Sequence, residues 1–344
     1  MDTVTHGLTG WLVSRAMPDG WNRKEATAAV TLGAVLPDAD HVVSLVGGSE
    51  MYVRFHRGLS HSLLGVTVSS LLVALLFARF GTWKDRKRLF LLTLLGQLSH
   101  IVLDLLNAYG TQVLQPFSDA RFSLDLLFVV DLVFTGIILA GIALSRGGRA
   151  SRARVALAVL AGYVGTAALI HARAVDVVRD AAVRSGVPVV SAQALPRLPT
   201  VEFPDLDRVG FATPAAAAQP SARREEGGTA IPFPAGPFAW DGFIDDGRTY
   251  LRARIEPITG ELEWRERVLR GSDVPEVRSL RGMSDVETYL WFARFPVASV
   301  NAVPGRTEVT FHDMRFDGMA GRRQPFRLRV IESPGEPPSA RWGG

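Results

Sequence analysis

Four short motifs gather histidine with other polar residues in an otherwise apolar stretch. They are Asp2-Thr3-Val4-Thr5-His6, Pro37-Asp38-Ala39-Asp40-His41, His56-Arg57-Gly58-Leu59-Ser60-His61 and Ser99-His100-Ile101-Val102-Leu103-Asp104. A fifth polar run, Pro116 to Asp125, carries Asp119, Arg121 and Asp125. Imidazole and carboxylate are the ligands of zinc, manganese and iron rather than of calcium. The chain has no cysteine, so any metal must be held by His, Asp and Glu, and disulfides and thiol nucleophiles are excluded. His100 and Asp104 are four apart, which stacks them on one helix face, where two ligands grip one ion without bending the helix. The His56–His61 spacing fits no regular helix face, but Gly58 permits a turn between them.

These residues sit among apolar elements that must position them. Of 344 residues, 47% are hydrophobic and 21% charged, at a mean hydropathy of +0.16. That composition excludes a disordered chain, and neither heptads nor a Gly-X-Y period is present. The long apolar runs lie within residues 1 to about 171, with six of the seven histidines. Leu63–Ala78, Leu89–Leu106, Leu124–Leu144 and Val155–Ile170 read as four membrane spans. Leu8–Met17 and Ala26–Leu36 are too short to span alone and are expected to form a re-entrant or interfacial hairpin. No basic segment precedes an apolar run at the start, so no signal peptide is expected.

Basic residues alternate between loops. Arg15, Arg23 and Lys24 fall in one loop, Arg79, Lys84, Arg86, Lys87 and Arg88 in a second, and Arg146, Arg149, Arg152 and Arg154 in a third. The intervening loops hold only Arg54, Arg57 and Arg121. The positive-inside rule then places the first set in the cytoplasm. All five polar clusters fall on the opposite, outer face. The pI of about 9.7, at a formal charge of +4, is thus mostly loop topology, and no nucleic-acid partner is expected. Ionisable groups at membrane depth cost about 2.5–3.5 kcal/mol each. Metal coordination would offset that cost for His6, Asp38, His41, His56, His61, His100 and Asp104, the expected ligand set. Asp38 and Asp125 can also be read as helix caps, Asp131 as a buried hydrogen-bonding partner, Arg121 as a snorkel to headgroups, and His171 and His312 as structural.

The expected organisation is a helical membrane domain over 1–175, a connection over 176–238 that is rich in Pro, Ala and Gly from 186, and a small antiparallel β domain over 239–344. Arg248–Glu256, Glu261–Leu269, Glu287–Phe295, Thr307–Arg315 and Phe326–Glu332 alternate apolar with polar residues, as half-buried strands do.

The ordered set Met1-Asp2-x-x-Thr5-His6-x-x-x-Gly10, Leu36-Pro37-Asp38-x-Asp40-His41, His56-Arg57-Gly58-x-Ser60-His61-Ser62 and Ser99-His100-x-x-x-Asp104 resembles the membrane-bound metal-dependent hydrolases, the YbcI/YdjM-type inner-membrane proteins of bacteria. The resemblance covers about residues 1–175. It implies a distant similarity to zinc-dependent phospholipase C and related nucleases, whose helical fold holds a small zinc cluster with His and Asp. The reading is a multi-pass inner-membrane hydrolase that binds zinc, with two or more ions, and acts on phosphoesters such as lipid or lipid-linked substrates. Asp40 would orient a water or act as general base, and Arg121 would hold a phosphate oxygen. The competing class is a non-catalytic metal-binding scaffold or a transporter. A transporter places ionisable residues near the midplane and on both sides of it, whereas these gather on one face. A soluble DNA-acting hydrolase would require the apolar runs to be core helices.

Overall fold

A computed structural model describes residues 1–18, 23–80, 85–197, 200–202, 230–232, 238–317 and 326–343. The first half is helical: α1 (Thr3–Arg15), α2 (Arg23–Val35), α3 (Val42–Phe55), α4 (Leu63–Phe80), α5 (Arg86–Leu105), α6 (Leu132–Leu144) and α7 (Ala150–Arg184). Small residues set the helix spacing. A methyl built on Gly96 of α5 would strike the backbone carbonyl of Val30 in α2, and one on Gly33 would strike that of Thr93. The two backbones therefore touch, which brings the end of α2 against His100. In α4 the residues Val66, Ser70, Ala74 and Ala78 recur every four positions and are buried, while Leu64, Val68, Leu71, Leu72, Leu75 and Leu76 point outward and are exposed. An apolar outer face of that kind matches lipid, not water. Gln97 bridges the pair, donating to Ser70 Oγ (2.7 Å) and the Val66 carbonyl (3.2 Å) and accepting from Ser69 (2.8 Å).

Among the described residues three helices are long and apolar enough to cross a membrane: α4, α5 and α7. The run expected as a further span, Leu124–Leu144, is helical only from Leu132, so α6 has 13 residues and about 20 Å of length. The cause is local. Asp131 takes an extended backbone and its carboxylate caps α6, accepting from Phe134 N at 2.9 Å. It also accepts from Tyr163 Oη (2.8 Å), which makes it the buried hydrogen-bonding partner anticipated above. Conversely, α7 runs for 35 residues, about 52 Å, well past the expected Ile170. Its last turns leave the apolar bundle and pack Ala174, Val177, Val178 and Ala182 under a β-sheet.

The C-terminal domain has two four-stranded antiparallel sheets. One orders β1 (Ser191–Pro196), β4 (Trp240–Asp245), β5 (Thr249–Glu256) and β6 (Glu261–Leu269); β2 (Thr200–Glu202) and β3 (Ala230–Pro232) pair separately. The other orders β10 (Ser339–Trp342), β9 (Leu328–Glu332), β8 (Arg306–Asp313) and β7 (Pro296–Val303). Residues 176–184 belong to α7 and 191–196 to β1, with a short turn and extended stretch between them. Most of the Pro- and Ala-rich stretch, 203–229 and 233–237, lies outside the described residues. Glu287–Phe295 is not a strand. Ser284–Phe292 forms helix α9, preceded by the short α8 (Pro275–Ser279). Val286, Tyr289 and Ala293 pack on one side of it against Val309, Phe311, Leu328 and Val330. Their spacing of three and four is helical, and burial on one sheet decides between two periods that a nine-residue window leaves close.

Antiparallel connections place the start of α1, the end of α2, the start of α4, the end of α5, the start of α6 and the C-terminal domain at one end of the bundle. The helix ends that carry Arg15, Arg79, Arg86 and Arg154 lie at the other end, where Arg154 Nε donates to the Ala16 carbonyl at 2.9 Å.

Candidate metal centre

Each motif is delivered by a local device. Asp2 caps α1, accepting from Thr5 N (3.0 Å) and Thr5 Oγ1 (2.6 Å), which turns the Met1 nitrogen inward and puts His6 one turn along. Pro37 opens a 3₁₀ turn, Pro37–His41, after α2. Between His56 and His61 the left-handed residue is Arg57 (φ 59°), not Gly58. Its N–H donates to Asp40 Oδ2 (3.1 Å) and its carbonyl accepts from Gln112 N (2.9 Å), which holds the unusual conformation. A 3₁₀ turn, Leu59–His61, then carries His61 inside.

These segments meet at His61 and His100, both buried, whose Nε2 atoms are 3.0 Å apart. Each ring is oriented through its other nitrogen: His100 Nδ1 donates to the Ala34 carbonyl (2.7 Å), and His61 Nδ1 lies 2.9 Å from Ser60 Oγ and 3.2 Å from Asp40 Oδ2. Backbone and carboxylate partners of this sort fix the tautomer of metal-ligating histidines. Asp104 Oδ2 is 3.3 Å from both Nε2 atoms, and Asp38 Oδ1 is 3.5 Å from His100 and 3.8 Å from His61. Donors of a tetrahedral zinc site at 2.0–2.1 Å lie about 3.3–3.4 Å from one another. The spacings here match that size. Asp104 Oδ2 is also a buried oxygen without a hydrogen-bond donor. The residues therefore fit a small divalent ion. His6 extends the group: its ring stacks on His100 at 3.6 Å, its Nε2 is 3.2 Å from Asp104 Oδ1, and its buried Nδ1 has no partner.

Electrostatics point the same way. Burial alone would push the His61 imidazole down, but Asp104, Asp38 and Asp40 around it push its pKa up to about 10. The cluster draws in a proton, as an anionic pocket that favours a cation should. Asp38 is held well below the usual carboxylate range: burial opposes this, and hydrogen bonding to His61 and Thr3 and the charge of His100 outweigh it.

A second group, Asp40, His41 and His56, adjoins the first. His56 Nδ1 donates to Asp40 Oδ1 at 2.8 Å, and burial pushes His56 down to about 4, so its ring is neutral at pH 7. His41 is half-exposed, with Nδ1 2.7 Å from the Asp38 carbonyl. Asp40 itself is fully engaged by His56, Arg57 N and Ser60 Oγ (2.6 Å). Asp40 thus stands behind the rings of His56 and His61 and holds them through its two oxygens.

Two nitrogen donors to Asp104 go beyond the expected set. The Met1 terminal nitrogen donates to Asp104 Oδ1, and Arg57 Nη2 reaches the same oxygen at 2.8 Å. Arg57 Nη1 donates to Asn107 Oδ1 (2.9 Å) and its guanidinium lies 4.9 Å from the Tyr109 ring. A signal existed: Arg57 is one of only three basic residues in the loops on this face and sits inside the His56–His61 motif. Arg121, by contrast, does not reach the cluster. It donates to the Gly110 carbonyl (2.9 Å) and lies among Tyr109, Trp291 and Phe292. Asp125 is no helix cap; left-handed (φ 58°), it pairs with Arg294 of the C-terminal domain at 2.7 and 2.8 Å. Asp119 lies apart and exposed. His171 packs near Trp240, and His312 lies in β8, 3.7 Å from Asp317.

A cavity of about 500 Å³ opens beside the cluster. Asp38, His41, His56 and Arg57 line it on one side, and Leu195, Phe316 and Phe326 of the C-terminal domain on another. Neither Asp40 nor Arg121 lines it.

The Uncharacterized protein YfhP of Bacillus subtilis (strain 168) is 36% identical over 103 residues, which is 30% of this chain and 31% of that relative. The match thus spans about a third of the relative's length. No solved structure matches. The pattern of the YdjM inner membrane protein family matches residues 1–174, just over half of the chain, and takes in every histidine and aspartate of the cluster. The match covers the apolar helices and the polar cluster between their ends, and the chain belongs to the YdjM inner membrane protein family.

Proposed function

We propose that this membrane protein is a metal-dependent hydrolase of phosphoesters, lipid or lipid-linked, whose centre is held by His61, His100, Asp38 and Asp104 with His6 beside them. His41 and His56 offer ligands for a second ion. The observation that carries the reading is the pair of imidazole Nε2 atoms 3.0 Å apart, both rings fixed through Nδ1, facing an Asp104 oxygen with no donor. When bound, zinc supplies Lewis acidity and makes water a nucleophile near neutral pH. Asp40 holds the rings of His56 and His61. Arg57 neutralises the second oxygen of Asp104 and, lining the cavity, supplies the positive charge for a substrate phosphate that Arg121 is too far aside to give.

The open cavity favours catalysis over a closed structural site. The gathering of ionisable groups at one end of the bundle favours an enzyme over a transporter. In this reading that end, with the C-terminal domain, faces outward, opposite the basic loops. The test is metal content and hydrolysis of a phosphodiester panel by the purified protein. Zinc at one or two equivalents and turnover are expected in the wild type, and both are expected to vanish in the His100→Ala/Asp104→Ala double variant. Survival of both in that variant would remove the assignment.

A further inference from the structure

The cavity beside the cluster has two unlike ends. Asp38, His41, His56 and Arg57 form a polar end. The rest of the lining is mostly apolar and comes from two parts of the chain: Val129 and Val130 just before α6, and Leu195, Pro196, Phe316 and Phe326 of the C-terminal domain, with the paired Arg315 beside them. At about 500 Å³ it is the size of a small-molecule site, which runs to about 300–1,000 Å³.

The far wall is built in. Phe326 adopts φ 60°, a costly left-handed conformation for a bulky residue. It is kept there by Phe316, Phe292 and Tyr109, whose ring centroids lie 5.1, 5.4 and 5.7 Å away. Arg315, buried and paired with Asp313, donates to the Ala108 carbonyl at 2.8 Å, and Arg294 clamps Asp125. The C-terminal domain is thereby tied to the helical domain as a fixed wall. From the cavity, Val130 continues into Leu132 and Val133, both exposed at the start of α6.

We infer that the C-terminal domain makes this cavity a seat for a hydrocarbon chain, so that the preferred ligand is an amphiphile with a phosphate at the His/Asp end and an alkyl or acyl chain between Val130 and Phe326. A free phosphate or a short polar ester would leave the apolar wall wetted and gain nothing from it. The inference deepens the hydrolase reading and rests on it for the placement of the phosphate, while the chain seat is tested by binding alone.

The experiment is calorimetric titration of zinc-loaded full-length protein in nanodiscs with butyl, hexyl and octyl phosphate. Each buried methylene tightens binding up to about fourfold. Octyl phosphate is expected to bind at least about tenfold more tightly than butyl phosphate. Val130→Trp fills the apolar end from a half-exposed position and is expected to reduce that preference to below about twofold with zinc content unchanged. Phe326→Ala, which removes the opposite wall, serves as the second variant and is expected to lower the preference severalfold. Equal binding of butyl and octyl phosphate by the wild type would overturn the inference. So would a retained preference in whichever variant loads zinc normally. Hydrolysis assayed on the same samples separates the two readings: chain preference without turnover removes the hydrolase and leaves the seat, and turnover without chain preference does the reverse.

Discussion

Asp104→Ala is expected to empty the centre of metal and to cost the fold about 3–5 kcal/mol, the usual penalty for stranding buried charge. One carboxylate serves five groups. Its Oδ1 accepts from the Met1 nitrogen, Arg57 and His6, and its Oδ2 lies 3.3 Å from His61 and His100. Every one of these is buried, so alanine leaves the Arg57 guanidinium without its anion, the Met1 nitrogen without its acceptor and two imidazoles without their oxygen neighbour. Asp104→Asn separates the two effects. The amide oxygen can still accept from Arg57, so most of the stability should return, but a neutral amide is a poor zinc ligand and metal should stay low. Thermal unfolding in detergent and metal content after zinc dialysis read the two quantities. An Asp104→Ala protein that keeps stoichiometric zinc would contradict the ligand assignment. One that loses zinc with unchanged unfolding would contradict the charge network.

The second large effect is on pH. His61 has its pKa pushed up to about 10 by the surrounding carboxylates, against the effect of burial. Below that pH its ring carries a proton that an ion must displace, because metal ligands bind deprotonated. Zinc affinity should therefore rise with pH through the neutral range, by about tenfold per pH unit for one released proton. From about pH 6 to about pH 8 that is about a hundredfold. His56, pushed down to about 4, is neutral throughout this window and adds no slope. Competition titrations with a chelator of known pH behaviour measure the dependence. A flat profile would mean that no protonated ligand stands in the ion's way.

The site was more legible in the sequence than the fold around it. His100 and Asp104 announce themselves because the helical period alone puts them on one face. The convergence of the other histidines followed from loop charge, which counts arginines and lysines and ignores histidine. Arg57 was passed over because charge in a loop was read as topology, although its backbone and side chain both serve the cluster. Arg121 shares a polar run with Asp119 and Asp125, yet its aromatic neighbours Trp291 and Phe292 come from about 170 positions later in the chain, and no local pattern reports them. The truncation of α6 turned on Asp131 as a cap inside an apolar run, where hydropathy outweighs one carboxylate. The α9 segment alternated well enough to pass for a strand, and only its packing against β8 and β9 selects the helix.

The most direct test of the central claim is X-ray absorption at the zinc edge on the purified full-length protein. The account predicts a nitrogen and oxygen shell at about 2.0–2.1 Å containing at least two imidazoles, reduced on His61→Ala and on His100→Ala. Zinc that fails to bind, or that binds with the same imidazole signal after both substitutions, would contradict it.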